Sequence, residues 1–485
     1  MAPRYRRIAV IGAGPSGLAA VRELEREQCF DCIRVFERKD RVGGIWAYEP
    51  EPDKFQPSYP AAETQTPIPD TLPALEPPIG KRAGLGSPVY DGLDTNAGAR
   101  TMAFTHTPIP FANSRASEVK FGKGNSSRTR QAVLAYLEDL FVPYLHWVAF
   151  NTAVERMEKI GNQWVLTLRQ SDLTHAGDTF DYWYEERFDA VVVASGHHTV
   201  PFTPDIAGLE EVAAIRPDKL LHSKSWRRAS DFAGQRVIIM GNNVSAADLV
   251  DDLHAVVKGP LYISQKEPNA FFEHAWALPN VVQKPVIVRL SVEDDGTVYF
   301  ADGTCVHGFD RIIFATGYKL SYPYLPFDAV TPQNRLSGFY QHIFRIGDPS
   351  LTVIGQVSCI PPAGILPGLM LTSRQVRAAI TFRIFEYQSW AVARYFAGRS
   401  KELPSNAEQE EWEASRLKYK GPSELFHEIK PDFTEYYGWL RDLAKGDGDS
   451  SDETALPEFQ ADWVDSDLEI LFAKSRYWRD LRIKY

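Results

Sequence analysis

The chain has 485 residues, 44% apolar and 24% charged, enough apolar material for two or three domains that each bury a core. A formal net charge of −10, with acids and bases interspersed, leaves no basic stripe and argues against nucleic acid as a partner. Four cysteines (Cys29, Cys32, Cys305, Cys359) are too few for a disulfide framework, and no apolar run approaches the roughly 20 residues that cross a bilayer. No secretory leader follows Met1, so the expectation is a cytoplasmic protein without stable membrane insertion.

Arg7 to Ile11 reads as a buried strand, Ser16 to about Gln28 as a helix and Ile33 to Phe36 as a second strand, a βαβ start that sets the class as α/β. Between strand and helix stands Gly12-Ala13-Gly14-Pro15-Ser16-Gly17, with Glu37 closing the second strand. Gly12 permits the tight turn, Gly14 lets backbone approach a pyrophosphate and Gly17 lets helix and strand pack closely. Pro15 and Ser16 open a helix whose free N–H groups face the phosphates, and Glu37 offers acceptors to a ribose diol. The combination predicts dinucleotide binding.

Arg41-Val42-Gly43-Gly44-Ile45-Trp46 follows, a glycine turn ending in tryptophan. From Pro50 to Pro88 ten prolines and few aliphatic residues predict an irregular surface excursion, an insertion of about 50–88. Arg130 to about Tyr144 has helical spacing; Trp164 to Leu168 and Ala190 to Ala194 read as strands.

A second strand–turn–helix unit begins at Arg236 to Met240 and runs through Gly241 to a helix ending near His254. Its turn is Gly241-Asn242-Asn243-Val244-Ser245-Ala246-Ala247-Asp248, with Asn243 where the middle glycine belongs. Asparagine tolerates left-handed φ, so Asn243 is expected either in that conformation or in a slightly shifted loop. After the strand Leu261 to Ser264 come Gln265 and Lys266, where an NAD-specific site has an acid; a 2′-phosphate is therefore admitted, with Lys266 as its partner, and NADPH is favoured over NADH. Lys224, Arg227 and Arg228 are further cationic candidates for that phosphate, although each reads more readily as a solvated surface charge. Arg311 to Ala315 is a last strand before Thr316-Gly317-Tyr318; Trp390 to Phe396 and the final thirty residues look helical, and no metal-ligand cluster is visible.

Taken together, these motifs resemble the flavin-containing monooxygenases, whose Gly-Gly-x-Trp turn, here with Gly44 and Trp46, runs beside the adenosine half of FAD. Ser87 to Asn96 is similar to the family stretch whose Thr-Asn, here Thr95 and Asn96, contacts flavin and bound NADP⁺. Val192 to His197 and Phe314 to Tyr318 resemble the two family linkers, the second through Thr316 and Gly317. The long proline-rich insertion and the irregular second glycine motif are most similar to the fungal thiol- and amine-oxidising branch.

The resemblance implies two Rossmann-like domains, an FAD domain in two parts (1–204 and 319–485, the second with a C-terminal helical region) and an NADPH domain (205–318) inserted in it. It implies FAD and NADPH as cofactors and O₂ and a small molecule as partners, and it is compatible with a homodimer. The implied chemistry is hydride transfer from NADPH to flavin, O₂ addition to give a C4a-hydroperoxide, and oxygenation of a nucleophilic nitrogen or sulfur, in fungal members often within secondary metabolism. Asn96 is the expected catalytic side chain; Gly241, Asn243, Ser245 and Lys266 are expected on NADPH.

The sequence also departs from the family. Arg216 and Asp218 replace the Phe and Gly that precede His222, and Trp226 matches either the residue that ends this stretch in Baeyer–Villiger relatives or a packing residue between domains. His106 stands in place of the usual Asp, and Pro361 to Ile380 looks inserted. Ketone oxygenation is therefore the alternative. A pyridine-nucleotide disulfide reductase would use Cys29 and Cys32, at the wrong end of their strand for a flavin crevice, and Gly347-Asp348 is too short a match to help it. A non-enzymatic nucleotide sensor requires that Asn243 abolish NADPH binding.

Overall fold

A computed structural model describes residues 2–57, 66–80, 86–175, 177–357, 381–446 and 455–484. The segment Pro361 to Ile380, with Cys359 just ahead of it, lies outside the described residues, as do 58–65 and 81–85 of the proline-rich excursion.

Two sheets organise the chain, one parallel except for antiparallel strands at one edge and one wholly parallel. Arg7–Ile11 is central in the first, pairing in parallel with Cys32–Phe36 on one side and Ala190–Val193 on the other. That sheet has seven strands and continues through Leu351–Val353, Phe344–Arg345 and Phe339–Tyr340, so it draws on segments that precede and follow the second sheet in the chain. The second sheet runs in the order Leu220–His222, Arg311–Phe314, Val237–Met240, Leu261–Ser264, Val281–Lys284, all parallel. Ile8, Val10, Val192, Ile239, Ile263 and Ile313 are wholly buried, which is why these strands read as continuous apolar runs rather than as alternation.

The chain crosses between the sheets twice, and the crossings meet: Tyr318–Lys319 pairs antiparallel with Val200–Pro201. Helix Pro15–Arg26 packs under the first sheet against Thr381–Phe396, and the long C-terminal helix Asp462–Lys484 lies against Ala99–Met102. Contact there is close enough that a Cβ on Gly98 would sit 1.9 Å from the Ser466 carbonyl oxygen. No helix of the described residues is long and apolar enough to cross a membrane.

The proline-rich excursion is not wholly irregular. Ala74–Glu76 joins Asp178–Phe188, Gln163–His175 and Thr152–Ile160 in a four-stranded antiparallel sheet, of which only Trp164 to Leu168 is evident from pattern. Arg169 is the reason the pattern misleads: it is buried in that sheet, pairing with Glu155 at 2.8 Å and Asp181 at 3.0 Å, while Thr66 donates to Glu155 at 2.9 Å.

Candidate functional site

A cleft of about 2930 Å³ runs between the first and second sheets along the carboxyl ends of their parallel strands. Drug-sized ligands occupy pockets of roughly 300–1,000 Å³, so this volume suits two large ligands rather than one. Every site residue expected from the sequence lines it except Gly17, which is buried in the packing beneath.

The first turn separates what the fold needs from what a ligand needs. Gly12 has φ +104°, and a Cβ there would lie 2.7 Å from the Ala194 carbonyl oxygen; at Gly17 it would lie 1.9 Å from the Gly12 carbonyl oxygen. Gly44, at φ +59°, would press a Cβ to within 2.8 Å of the Gly14 Cα, and Gly43 N–H donates to the Ala13 carbonyl at 2.9 Å. The Gly-Gly-x-Trp turn thus buttresses the nucleotide turn, while Trp46 stands edge-on to Phe382 at 6.4 Å.

Gly14 differs. Its φ is −84°, which any residue adopts, and the atoms nearest a Cβ there are at 3.5 Å, an ordinary contact. The protein itself leaves room for a side chain, so its absence keeps the cleft open where a pyrophosphate meets backbone. Helix Pro15–Arg26 has Pro15 in its first turn and no side-chain cap, which leaves its first N–H groups open toward the cleft beside Ser16.

Glu37 is buried, and its carboxylate accepts from Ala13 N–H at 2.7 Å and Lys39 N–H at 2.9 Å. It holds the turn, with lone pairs remaining on each oxygen for a ribose.

In the second unit Gly241 repeats the constraint on Gly12: φ is +149° and a Cβ would lie 2.4 Å from the Ala315 carbonyl oxygen. Asn243 is not left-handed, which rules out the first of the two accommodations expected of it. Its φ and ψ of −118° and −171° match the extended backbone of Gly14, and its Oδ1 accepts from Val244 N–H at 2.8 Å, capping the helix Val244–Leu253. The middle position asks for space, not for positive φ. Ser245 is exposed at the cleft wall, and buried Ala246 takes the third glycine's place. Beyond the next strand Lys266 is exposed at the wall, and Gln265 is buried there with both its side-chain nitrogen and oxygen lacking partners. Their signal in the sequence was the missing acid.

Asn96 sits where the two units meet. Its Nδ2 donates to Asp248 Oδ2 at 3.0 Å, and its Oδ1 accepts from the ammonium group of Lys474. Neighbouring Thr95 serves its own loop, donating to the Ala97 carbonyl and accepting from Arg128 N–H, both at 3.0 Å. Just before the crossing strand Tyr318–Lys319, Thr316 donates to the Phe202 carbonyl and Gly317 adopts φ +85°.

Sequence reasoning took His197 only as the end of a linker and missed its pairing with His198 on the first crossing, where the two rings are 4.2 Å apart and line the cleft. Burial pushes both imidazoles below their ordinary value, so they are neutral near pH 7. Only their position after Gly196 could have drawn attention.

Lys224 and Arg227 correct the expectation of solvated charges. Lys224 is buried, donating to the Thr199 carbonyl at 2.7 Å beside Asp53 at 3.2 Å; burial lowers its pKa to about 8 against the raising effect of Asp53. Arg227 donates to the carbonyls of Glu49, Lys224 and Trp226. Both tie the second unit to the start of the excursion. Arg228 is exposed as expected, 3.4 Å from Asp91.

Trp226 is buried against Phe232, with ring centroids 4.9 Å apart, and does not line the cleft; His106 is exposed outside it. Cys29 and Cys32 are unbridged and lie at the amino end of the strand Cys32–Phe36, opposite the end that carries the turns.

The chain matches the flavin-binding monooxygenase-like family model over residues 125–276 and 275–385, and an NAD(P)-binding Rossmann-like model over 10–65. It is 31% identical over 454 residues to the flavin-containing monooxygenase FMO GS-OX5 of Arabidopsis thaliana, covering 91% of this chain and 86% of that protein. To the flavin-containing monooxygenase ustF2 of Aspergillus flavus it is 25% identical, covering 88% and 89%. Among solved structures, S-allyl-L-cysteine S-oxygenase from Allium sativum is similar with a TM-score of 0.66 and 25% identity, covering 98% of each chain. With two nucleotide turns facing one cleft, the chain belongs to the flavin-binding monooxygenase-like family, oxidoreductases that use FAD and NADPH.

Proposed function

We propose that this monooxygenase transfers one oxygen atom of O₂ to a soft nucleophilic atom of a small molecule, sulfur before nitrogen, with Asn96 as the catalytic side chain. The observation that carries the reading is the position of Asn96 at the wall of a cleft flanked by both nucleotide turns. FAD, when bound, supplies the hydride acceptor and the site of oxygen activation. The chain does the rest. The Gly12–Gly17 turn and Glu37 hold the flavin nucleotide; the backbone of Gly241 and Asn243, with Ser245 and Lys266, holds the nicotinamide nucleotide; Thr316 and Gly317 shape the crossing between them. Asn96 offers an amide to hold nucleotide and oxygen together, where an enclosed site keeps water out.

The division into an FAD unit of residues 1–204 and 319–485 and an inserted NADPH unit of 205–318 belongs to the same reading. It is supported by one sheet whose strands come from before Leu220 and after Phe314, and another built only from Leu220 to Lys284 and Arg311 to Phe314.

Sulfur is favoured because a similar structure is an S-allyl-L-cysteine S-oxygenase. The cue for ketone oxygenation, Trp226, is accounted for by its packing on Phe232. The test is mass spectrometry of products formed from a mixed panel of thioethers, amines and ketones with NADPH and ¹⁸O₂. Labelled sulfoxide or N-oxide is expected. Labelled lactone or ester alone, or NADPH oxidation with no labelled product across the panel, contradicts the assignment.

A further inference from the structure

The C-terminal helix Asp462–Lys484 sends a cation behind the cleft wall. Lys474 is buried, and its Nζ donates to Asp248 Oδ1 at 2.6 Å and to Asn96 Oδ1, while Asn96 Nδ2 donates to Asp248 Oδ2 at 3.0 Å. Three side chains from three distant segments close a ring. Of the three, only Asn96 lines the cleft.

Such a ring fixes orientation as well as place. An ammonium group can only donate and a carboxylate can only accept, so the amide satisfies both solely with Oδ1 toward Lys474 and Nδ2 toward Asp248. Turning the amide over would set N–H against ammonium and oxygen against carboxylate, a double conflict between partly buried charges. One N–H and one lone pair of the amide remain uncommitted. Asp248 lies on the helix Val244–Leu253, whose N-terminal turn carries Asn243 and Ser245, so the orientation of Asn96 is tied to the nicotinamide-nucleotide unit itself.

We propose that Lys474, directly and through Asp248, is a positioning residue that holds the Asn96 amide in one orientation for the bound nicotinamide nucleotide. The proposal rests on the reading of Asn96 given above. A mere tie between segments is already present nearby: Lys120 donates to Asp251 at 2.6 Å on the same helix and does not touch Asn96. Lys120 therefore provides a control that shares the anchoring role and lacks the orienting one.

The experiment compares Lys474→Met, Lys474→Arg, Lys120→Met, Asn96→Ala and the double variant Asn96→Ala/Lys474→Met as FAD-loaded proteins. Calorimetry gives NADP⁺ affinity, and peroxide and product assays give the share of reducing equivalents lost as H₂O₂. Lys474→Met is expected to keep FAD, bind NADP⁺ about tenfold more weakly, as the loss of a charged hydrogen bond implies, and release more H₂O₂. Lys474→Arg should recover most of both, Lys120→Met should change neither, and the double variant should be no worse than Asn96→Ala, since the two act as one unit. Wild-type NADP⁺ affinity and peroxide share in Lys474→Met overturn the proposal, as do equal defects in Lys120→Met or additive defects in the double variant. A silent Asn96→Ala overturns instead the reading on which the proposal rests, so the two failures are distinguishable.

Discussion

The two nucleotide turns begin alike and then diverge. Gly12 and Gly241 both take positive φ, and a Cβ on either would strike the carbonyl of the residue that directly follows a neighbouring strand, Ala194 after Ala190–Val193 or Ala315 after Arg311–Phe314. At the middle position Gly14 and Asn243 share an extended backbone, yet one leaves its helix uncapped and the other covers Val244 N–H with its own side chain. Glycine at the first position is thus a demand of the fold, while glycine at the middle position is a demand of the ligand. The first turn, proposed above to hold FAD, meets both demands, and the second, proposed to hold NADPH, only the first.

The contrast is broken most severely at Gly17. Gly17→Val drives a side chain into the Gly12 carbonyl and should destabilise the protein by about 3 kcal/mol, at the upper end for overpacking, read as a lowered thermal midpoint with loss of FAD. Gly14→Val should behave differently: a far-ultraviolet spectrum like that of the wild type but no yellow colour, because its Cβ meets nothing closer than 3.5 Å and obstructs only the pyrophosphate. If Gly14→Val unfolds as badly as Gly17→Val, the separation of fold from ligand demands is wrong.

The NADPH turn offers smaller effects. Lys266→Ala should cut the preference for NADPH over NADH about tenfold, the scale of one charged hydrogen bond to phosphate, as seen in the nucleotide concentration that half-reduces the flavin. Asn243→Gly frees Val244 N–H at a helix-capping cost of only a few tenths of a kcal/mol and should tighten NADP⁺ by about threefold in calorimetry. Weaker binding in Asn243→Gly would mean that the asparagine side chain itself touches the nucleotide.

Much of this was legible in the sequence, and the reason is burial on both faces. Strands such as Ala190–Val193 and Leu261–Ser264 are fully enclosed parallel strands, so their apolar runs mark them within a residue or two. The antiparallel sheet was mostly hidden because Arg169, Glu155 and Asp181 satisfy one another inside it, and charge in a sequence reads as exposure. Lys224 and Arg227 misled in a similar way: Lys224 is satisfied by Asp53 and the Thr199 carbonyl, and Arg227 by main-chain carbonyls that include Glu49, partners that no local pattern announces. Asn96 could be named from its neighbours, but the cation that holds it lies 378 residues away in a helix with no motif.

The most direct test of the account is the yield of oxygenated product per NADPH consumed in Asn96→Ala. Removing one well-placed polar group at such a site typically costs about 3 kcal/mol, roughly a hundredfold in the affected step. The variant should keep FAD and oxidise NADPH at a near-normal rate, while the oxygen emerges as H₂O₂ and the coupled yield collapses. Wild-type product per NADPH in Asn96→Ala would reduce this residue to part of a turn and contradict the central claim.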